Sequence, residues 1–188
     1  MHFLKIEEQL IKLKDKYFKP FISSGEIAAA VEKVAKEIAE DFKDETPVFI
    51  CVLNGAFMFT SDLLKAYPHN CEVSFVKLSS YRGLSSTGIV KTLLDIPDNI
   101  EGRSVVIIED IIDTGRTLKE LFHLFSEVHV KQLKIAAMFH KPDVYEGEYK
   151  IDYVGMDIPD KFIVGYGLDY NEMGRNLPEV YQIEEHHD

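Results

Sequence analysis

The feature that most restricts this chain is an uninterrupted apolar run that ends in acids. Val105-Val106-Ile107-Ile108 is followed at once by Glu109-Asp110, then Ile111-Ile112 and Asp113-Thr114-Gly115-Arg116-Thr117-Leu118. β-formers without a polar break fit a strand buried on both faces, as in a parallel sheet. Beyond it, Leu118, Leu121, Phe122 and Phe125 share one helical face, and Thr117 and Glu120 have capping-box spacing. The expected unit is therefore strand, polar loop, helix. In open α/β sheets, ligands bind beyond the carboxyl ends of the strands. A loop entering a helix offers unpaired N–H groups and a positive dipole end, which suits phosphate. Gly115 permits close backbone approach, and Thr114 and Thr117 add hydroxyl donors. The neighbouring carboxylates repel phosphate, so their partners are sugar hydroxyls, a transferable proton or a metal. The run matches neither G-x-x-x-x-G-K-[ST] nor G-x-G-x-x-G.

The same grammar recurs along the chain. Pro47 to Leu53 reads as a second apolar strand, ending at Asn54-Gly55-Ala56 before a helix through Leu64. Cys71 to Leu78 and Leu133 to Phe139 read as further strands, the latter ending at His140-Lys141-Pro142. Ser23 and Glu26 have capping-box spacing ahead of a helix whose Ile27, Val31, Val34, Ile38 and Phe42 share a face. Strands alternating with helices predict an α/β fold with a doubly wound, mostly parallel sheet. The length of 188 residues fits a single domain, 1–188. Its core is expected at about 21–142, with a small hood over the sheet edge from 1–20 and 143–188, where short strands and tight turns replace the βα rhythm. Residues 3–17 are expected to form a short amphipathic helix, although their apolar spacing is loose. Ser79 to Gly88, rich in Gly and Ser, reads as a loop that is either filler or a lid, and Ile89 to Leu94 as a returning strand.

The formal net charge of −11 argues against a nucleic-acid partner bound through phosphate neutralisation. It runs against the phosphate ligand suggested by the loop too, unless local Lys and Arg residues and a bound metal supply the field. Cys51 and Cys71 have no Zn spacing and suggest buried thiols rather than a disulfide framework. Met1 to Pro20 alternates charged and apolar residues, unlike a signal peptide, and no run approaches the about 18 apolar residues of a membrane span. A cytoplasmic protein with no membrane partner is expected. His186-His187 reads as solvated terminus rather than metal site.

The run Glu109 to Thr117, E-D-I-I-D-T-G-R-T, resembles the phosphoribosyl pyrophosphate (PRPP) motif of type I phosphoribosyltransferases, most closely that of the hypoxanthine-guanine branch. Lys141, Asp160-Lys161-Phe162 and Leu168-Asp169-Tyr170-Asn171 resemble that branch as well, so the likeness runs from about Val48 to Tyr181. It implies Mg²⁺-dependent transfer of phosphoribose from PRPP to a 6-oxopurine base in purine salvage, by a homodimer or homotetramer. Carried over residue by residue, Thr114, Gly115, Arg116, Thr117 and the Asp113 amide would cradle the 5′-phosphate, and Glu109 and Asp110 would meet the ribose hydroxyls or Mg²⁺. Asp113 would be the general base at purine N7. Leu53, Asn54 and Gly55 would hold pyrophosphate through the backbone, in a loop where this family often has a cis peptide, here Leu53–Asn54. Many members carry Lys where this chain has Asn54, which weakens a side-chain role here and keeps the backbone one. Arg175 would hold the leaving pyrophosphate, and Asp169 would be a Mg²⁺ ligand beside the base. Lys141 would donate to purine O6, Phe162 would stack on the base with Ile111 or a neighbour opposite, and the Ile163 backbone would pair with the base edge. Ser80 and Tyr81 would close the lid. Two rivals share the fold: a regulatory protein that binds PRPP or nucleotide and controls RNA, and a transferase preferring xanthine.

Overall fold

Alternation along the apolar strands decides which side of the sheet each residue serves. The computed structural model describes residues 10–79, 91–94 and 100–184. In chain order the elements are β1 (Ile11–Leu13), β2 (Lys16–Ile22), α1 (Ser24–Asp41), β3 (Val48–Leu53), α2 (Phe57–Ala66), β4 (Glu72–Ser79), β5 (Lys91–Leu94), β6 (Ser104–Ile112), α3 (Arg116–Phe125), β7 (Gln132–His140), β8 (Tyr153–Asp157), β9 (Ile163–Val164) and β10 (Val180–Glu184). Phe49 and Cys51 of β3, with Val106 and Ile108 of β6, pack toward α1 and α2. Val48, Ile50 and Val52, with Val105 and Ile107, pack toward Leu118, Leu121 and Phe125 of α3. Helices therefore cover both faces, which is why the runs Val48 to Leu53 and Val105 to Ile108 are apolar throughout.

The main sheet has the order β5-β4-β3-β6-β7-β8. Strands β4, β3, β6, β7 and β8 run parallel, and β5 is antiparallel to β4. The chain leaves β3 for β4 on one side and returns to β6 on the other. The strand order thus reverses between β3 and β6, and a crevice opens beyond their carboxyl ends. The main sheet also takes β8 from the segment that the sequence reading assigned to the hood. Tyr153–Asp157 pairs with β7 although no helix precedes it. A second, antiparallel sheet of order β1-β2-β10-β9 forms the hood.

Two expectations need correction. No helix forms in the described part of 3–17; Ile11–Leu13 and Lys16–Ile22 are a β-hairpin, with Lys14 at φ +51° in its turn. Pairing of β2 with both β1 and β10, with Phe18 packed in the hood and Ile22 in the main core, outweighs the weak helical spacing. Thr117 and Glu120 do not form a capping box either: α3 begins at Arg116, with Gly115 as its N-cap at φ +85° and no side-chain cap. The box at α1 does form. Glu26 N–H donates to Ser23 Oγ at 3.3 Å, and Ser23 N–H donates to Glu26 Oε2 at 2.9 Å. Such a cap contributes about 1 kcal/mol. Cys51 is buried, Cys71 is half-buried, and both are free thiols. Among the described residues, no helix is long and apolar enough to cross a membrane.

Candidate active site

The crevice at the β3/β6 reversal is built from strand ends. Val52, Leu53, Asn54, Gly55, Leu78, Glu109, Asp110, Arg116, Thr117, Glu120 and Arg175 line a hollow of about 430 Å³. The run from Glu109 to Leu118 wraps a smaller neighbouring hollow of about 210 Å³, which Asp113, Thr114 and Gly115 enter. The Leu53–Asn54 peptide bond is cis. Gly55 is fixed by its neighbours, because a Cβ there would overlap the Asp110 carboxylate. Gly167, at φ +99°, brings the hood against this loop; a Cβ on it would overlap the Gly55 carbonyl. The hood thus touches the strand-end loop backbone to backbone, which glycine at 167 allows.

The two flanks of the crevice are held by ion pairs. Arg175 donates through Nη1 to the Gly167 carbonyl at 2.8 Å and pairs through Nη2 with Asp169 Oδ1 at 2.6 Å. Asp169 Oδ2 also accepts the Glu172 N–H at 2.7 Å. On the β7 side, the Lys141 ammonium is buried between Asp160 Oδ1 at 3.0 Å and Asp113 Oδ2 at 3.5 Å. Phe162 follows two residues after Asp160 and is 46% exposed, edge-on to Tyr170 at 5.9 Å. An aromatic so exposed, two residues from the partner of a buried cation, offers its ring to a planar ligand. Ile163 is buried, and its strand pairs with β10 opposite Gln182. Ile111 is half-buried against the α1–α2 side of the core.

A phosphoribosyl transferase domain model matches residues 23–171. A hypoxanthine-guanine phosphoribosyltransferase of Aquifex aeolicus is 38% identical over 176 residues, covering 93% of this chain and 99% of that protein. One from Bacillus subtilis is 42% identical over 163 residues, covering 86% and 91%. The crystal structure of a hypoxanthine-guanine phosphoribosyltransferase from Bacillus anthracis, with HEPES in its active site, superposes with a TM-score of 0.81 at 38% identity, covering 89% of this chain and 97% of that one. The chain belongs to the type I phosphoribosyltransferase family, in its hypoxanthine-guanine branch.

In this phosphoribosyltransferase the acids of the PRPP motif sit in unequal surroundings. Glu109 is 3% exposed, and its Oε1 has no hydrogen-bond partner. Burial first, and the Asp110 charge second, raise its pKa well above the ordinary carboxylate range. Asp110 Oδ1 accepts the Ile111 N–H at 2.8 Å. Burial nonetheless pushes Asp110 up to about 6; the Ile111 amide and the Arg175 charge only partly offset it, and Asp169 adds to it.

Sequence reasoning missed several neighbours of this site. Lys77 Nζ donates to Asn54 Oδ1 at 2.9 Å, across the parallel register that sets Lys77 beside Leu53. In the sequence Asp160 stands out only as part of a motif, yet it holds Lys141 more closely than Asp113 does. Glu120 lines the larger hollow, although it was read only as a cap. The alternation of β4 could have pointed to Lys77 once the strand order was known. Ser80 and Tyr81 lie outside the described residues.

Proposed function

We propose that the protein transfers the 5-phosphoribosyl group of PRPP to N9 of hypoxanthine or guanine, giving IMP or GMP and pyrophosphate. The observation that carries this reading is Lys141, a buried cation joining the phosphate-loop acid Asp113 to the segment that presents exposed Phe162. A 6-oxopurine brings a carbonyl acceptor for Lys141, a flat face for Phe162 and a dissociable N7 proton for Asp113. Adenine would bring an amino donor to the cation and gain nothing there. Ile111 is the candidate for the base's other face, and the Ile163 backbone for its edge.

On the PRPP side, the α3 amides with Thr114, Gly115, Arg116 and Thr117 would take the 5′-phosphate. Leu53, Asn54 and Gly55 would take pyrophosphate through backbone groups, with Arg175 closing from the hood. Asp113 would accept the N7 proton as N9 bonds to C1, and nearby carboxylates would stabilise positive charge developing on the ribose ring.

The donor set fits Mg²⁺. Glu109, Asp110 and Asp169 offer hard oxygens, and Glu109 keeps a buried oxygen without a partner. Among the described residues no three His, Cys, Asp or Glu side chains gather into a ready cage. Such a set suits a cation held by one or two carboxylates plus substrate oxygens and water. When bound, Mg²⁺ neutralises pyrophosphate charge and assists its departure. Assembly into a homodimer or homotetramer belongs to the same proposal; exposed Phe57, Val73 and Phe75 supply apolar surface that self-association would cover.

The test is a base panel: PRPP and Mg²⁺ with hypoxanthine, guanine, xanthine, adenine and uracil, with and without chelator. Turnover of hypoxanthine or guanine that chelator abolishes is the expected result. Faster turnover of xanthine would move the specificity. Bound PRPP without turnover of any base would refute the transferase reading and favour control of RNA.

A further inference from the structure

We propose that Tyr145, in the strap between β7 and β8, is a positioning residue for the 5′-phosphate cradle. The proposal rests on the phosphoribosyl-transfer reading of that cradle and adds a residue from outside its motifs. The Tyr145 ring lies directly against the Gly115 backbone: a Cβ on Gly115 would stand 2.7 Å from Tyr145 Cε2 and 3.4 Å from Gly147 Cα. Gly115 is the left-handed N-cap of α3, and its carbonyl accepts the first helical N–H, from Lys119, at 3.1 Å. The ring therefore braces the residue that aims the α3 amides.

The ring is itself fixed from several directions. Its hydroxyl donates to the Tyr149 carbonyl at 2.6 Å, and its N–H donates to the Lys141 carbonyl at 3.1 Å. The His140 ring stands edge-on at 5.5 Å, with Nδ1 2.7 Å from Asp157 Oδ1. Gly147 lets the strap wrap the phenol, since a Cβ there would come within 2.5 Å of Tyr145 Oη. Tyr149 then stacks on Phe122 of α3 at 3.8 Å and 5°. The strap thus grips α3 at two points, along its flank and at its N-cap. A glycine in the left-handed region has little torsional restraint of its own. Packing on one side of Gly115 is what holds the amides aimed at the other side.

A merely structural tyrosine and a positioning one differ in which ligand suffers. The 5′-phosphate of IMP needs the Gly115 cradle, whereas pyrophosphate with Mg²⁺ uses the 53–55 loop and Arg175. Calorimetry of Tyr145→Ala should show IMP affinity reduced about tenfold, with Mg²⁺-pyrophosphate affinity within about twofold of the parent. Tyr145→Phe keeps the ring and should return IMP affinity to within about twofold of the parent. If Tyr145→Ala does not fold, Tyr145→Leu keeps apolar volume without the flat ring and is read the same way. Equal loss for both ligands, or no loss of IMP affinity, overturns the positioning role. A parent protein that binds neither IMP nor PRPP overturns the transferase reading and this proposal together. A parent that binds IMP beside an unaffected Tyr145→Ala overturns this proposal alone.

Discussion

Asp110 should cost the free protein stability at neutral pH, and Asp110→Asn should return it. A carboxyl raised from 3.8 to about 6 keeps its proton in the folded chain over a range where the unfolded chain has lost it. The folded state therefore binds more protons between those values, and stability falls as pH rises through them. Below about 4 both states are protonated and nothing is lost; above about 6 the full amount is lost. The difference corresponds to roughly 3 kcal/mol. Asp110 lines the mouth of an open hollow, where water screens part of this, so about 1–3 kcal/mol is the expected range. Asparagine keeps an oxygen for the Ile111 N–H and carries no charge. For a chain of this size, Asp110→Asn should raise the melting temperature by about 3–10 °C at pH 7.5. At pH 4 it should raise it hardly at all. The assay is thermal unfolding of ligand-free parent and variant from pH 4 to 8. A variant that melts at or below the parent throughout would refute the reasoning, because the acid would then be well solvated or well paired. A gain that is constant with pH would place its cause outside titration.

Further outcomes follow from contacts at the same crevice. Gly55→Ala drives a methyl into the Asp110 carboxylate. Overpacking of this kind costs about 1–3 kcal/mol, and an ångström-scale shift of the acid should cut kcat/KM by about 100-fold; steady-state kinetics near the parent value would mean the loop relaxes freely. Asp113→Asn should keep the fold and PRPP affinity while kcat falls about 100-fold or more, read by turnover beside PRPP titration. Unchanged turnover removes the general-base role. Lys141→Ala should raise KM for the base by about 10- to 100-fold and leave PRPP binding near the parent value. Equal losses for both ligands would place Lys141 away from the base.

The interior strands were legible because both faces are buried, and short β-branched runs such as Val105 to Ile108, bounded by polar residues, suit a buried strand better than a helix. The hairpin at β1 and β2 was not, since Leu10, Leu13 and Tyr17 satisfy a helical spacing and β1 is only three residues long. Strand β8 was hidden for a related reason: Tyr153-Val154-Gly155-Met156-Asp157 is an edge strand with half-buried residues, and no helix announces it. At α3, Thr117 and Glu120 have the right spacing for a box, yet Gly115 in the left-handed region had already started the helix. Within the site, the motif run was readable because strand, loop and helix are contiguous. The pairings Lys77–Asn54, Lys141–Asp160 and Tyr145–Gly115 were not, because each joins segments whose proximity depends on strand order and on the path of the strap.

The acidic balance of the chain looked contrary to a polyanionic substrate, and the arrangement of charges resolves it. Lys141 lies between two carboxylates, and Arg175 is already engaged by Asp169, so neither stands as a free cation toward the crevice. Glu109 and Asp110 are buried with too little compensation, which is why their protons are held so tightly. On the proposed reading, with exposed Arg116 as a further cation lining the hollow, such a site should favour a pyrophosphate ligand that brings its own divalent cation. Mg²⁺ held by Glu109, Asp110 or Asp169, as proposed, would offset the burial of these acids as it screens the phosphates. If these carboxylates hold Mg²⁺ in this way, protons compete with it, and PRPP affinity measured by calorimetry in Mg²⁺ should rise with pH through about 6, the value to which burial pushes Asp110.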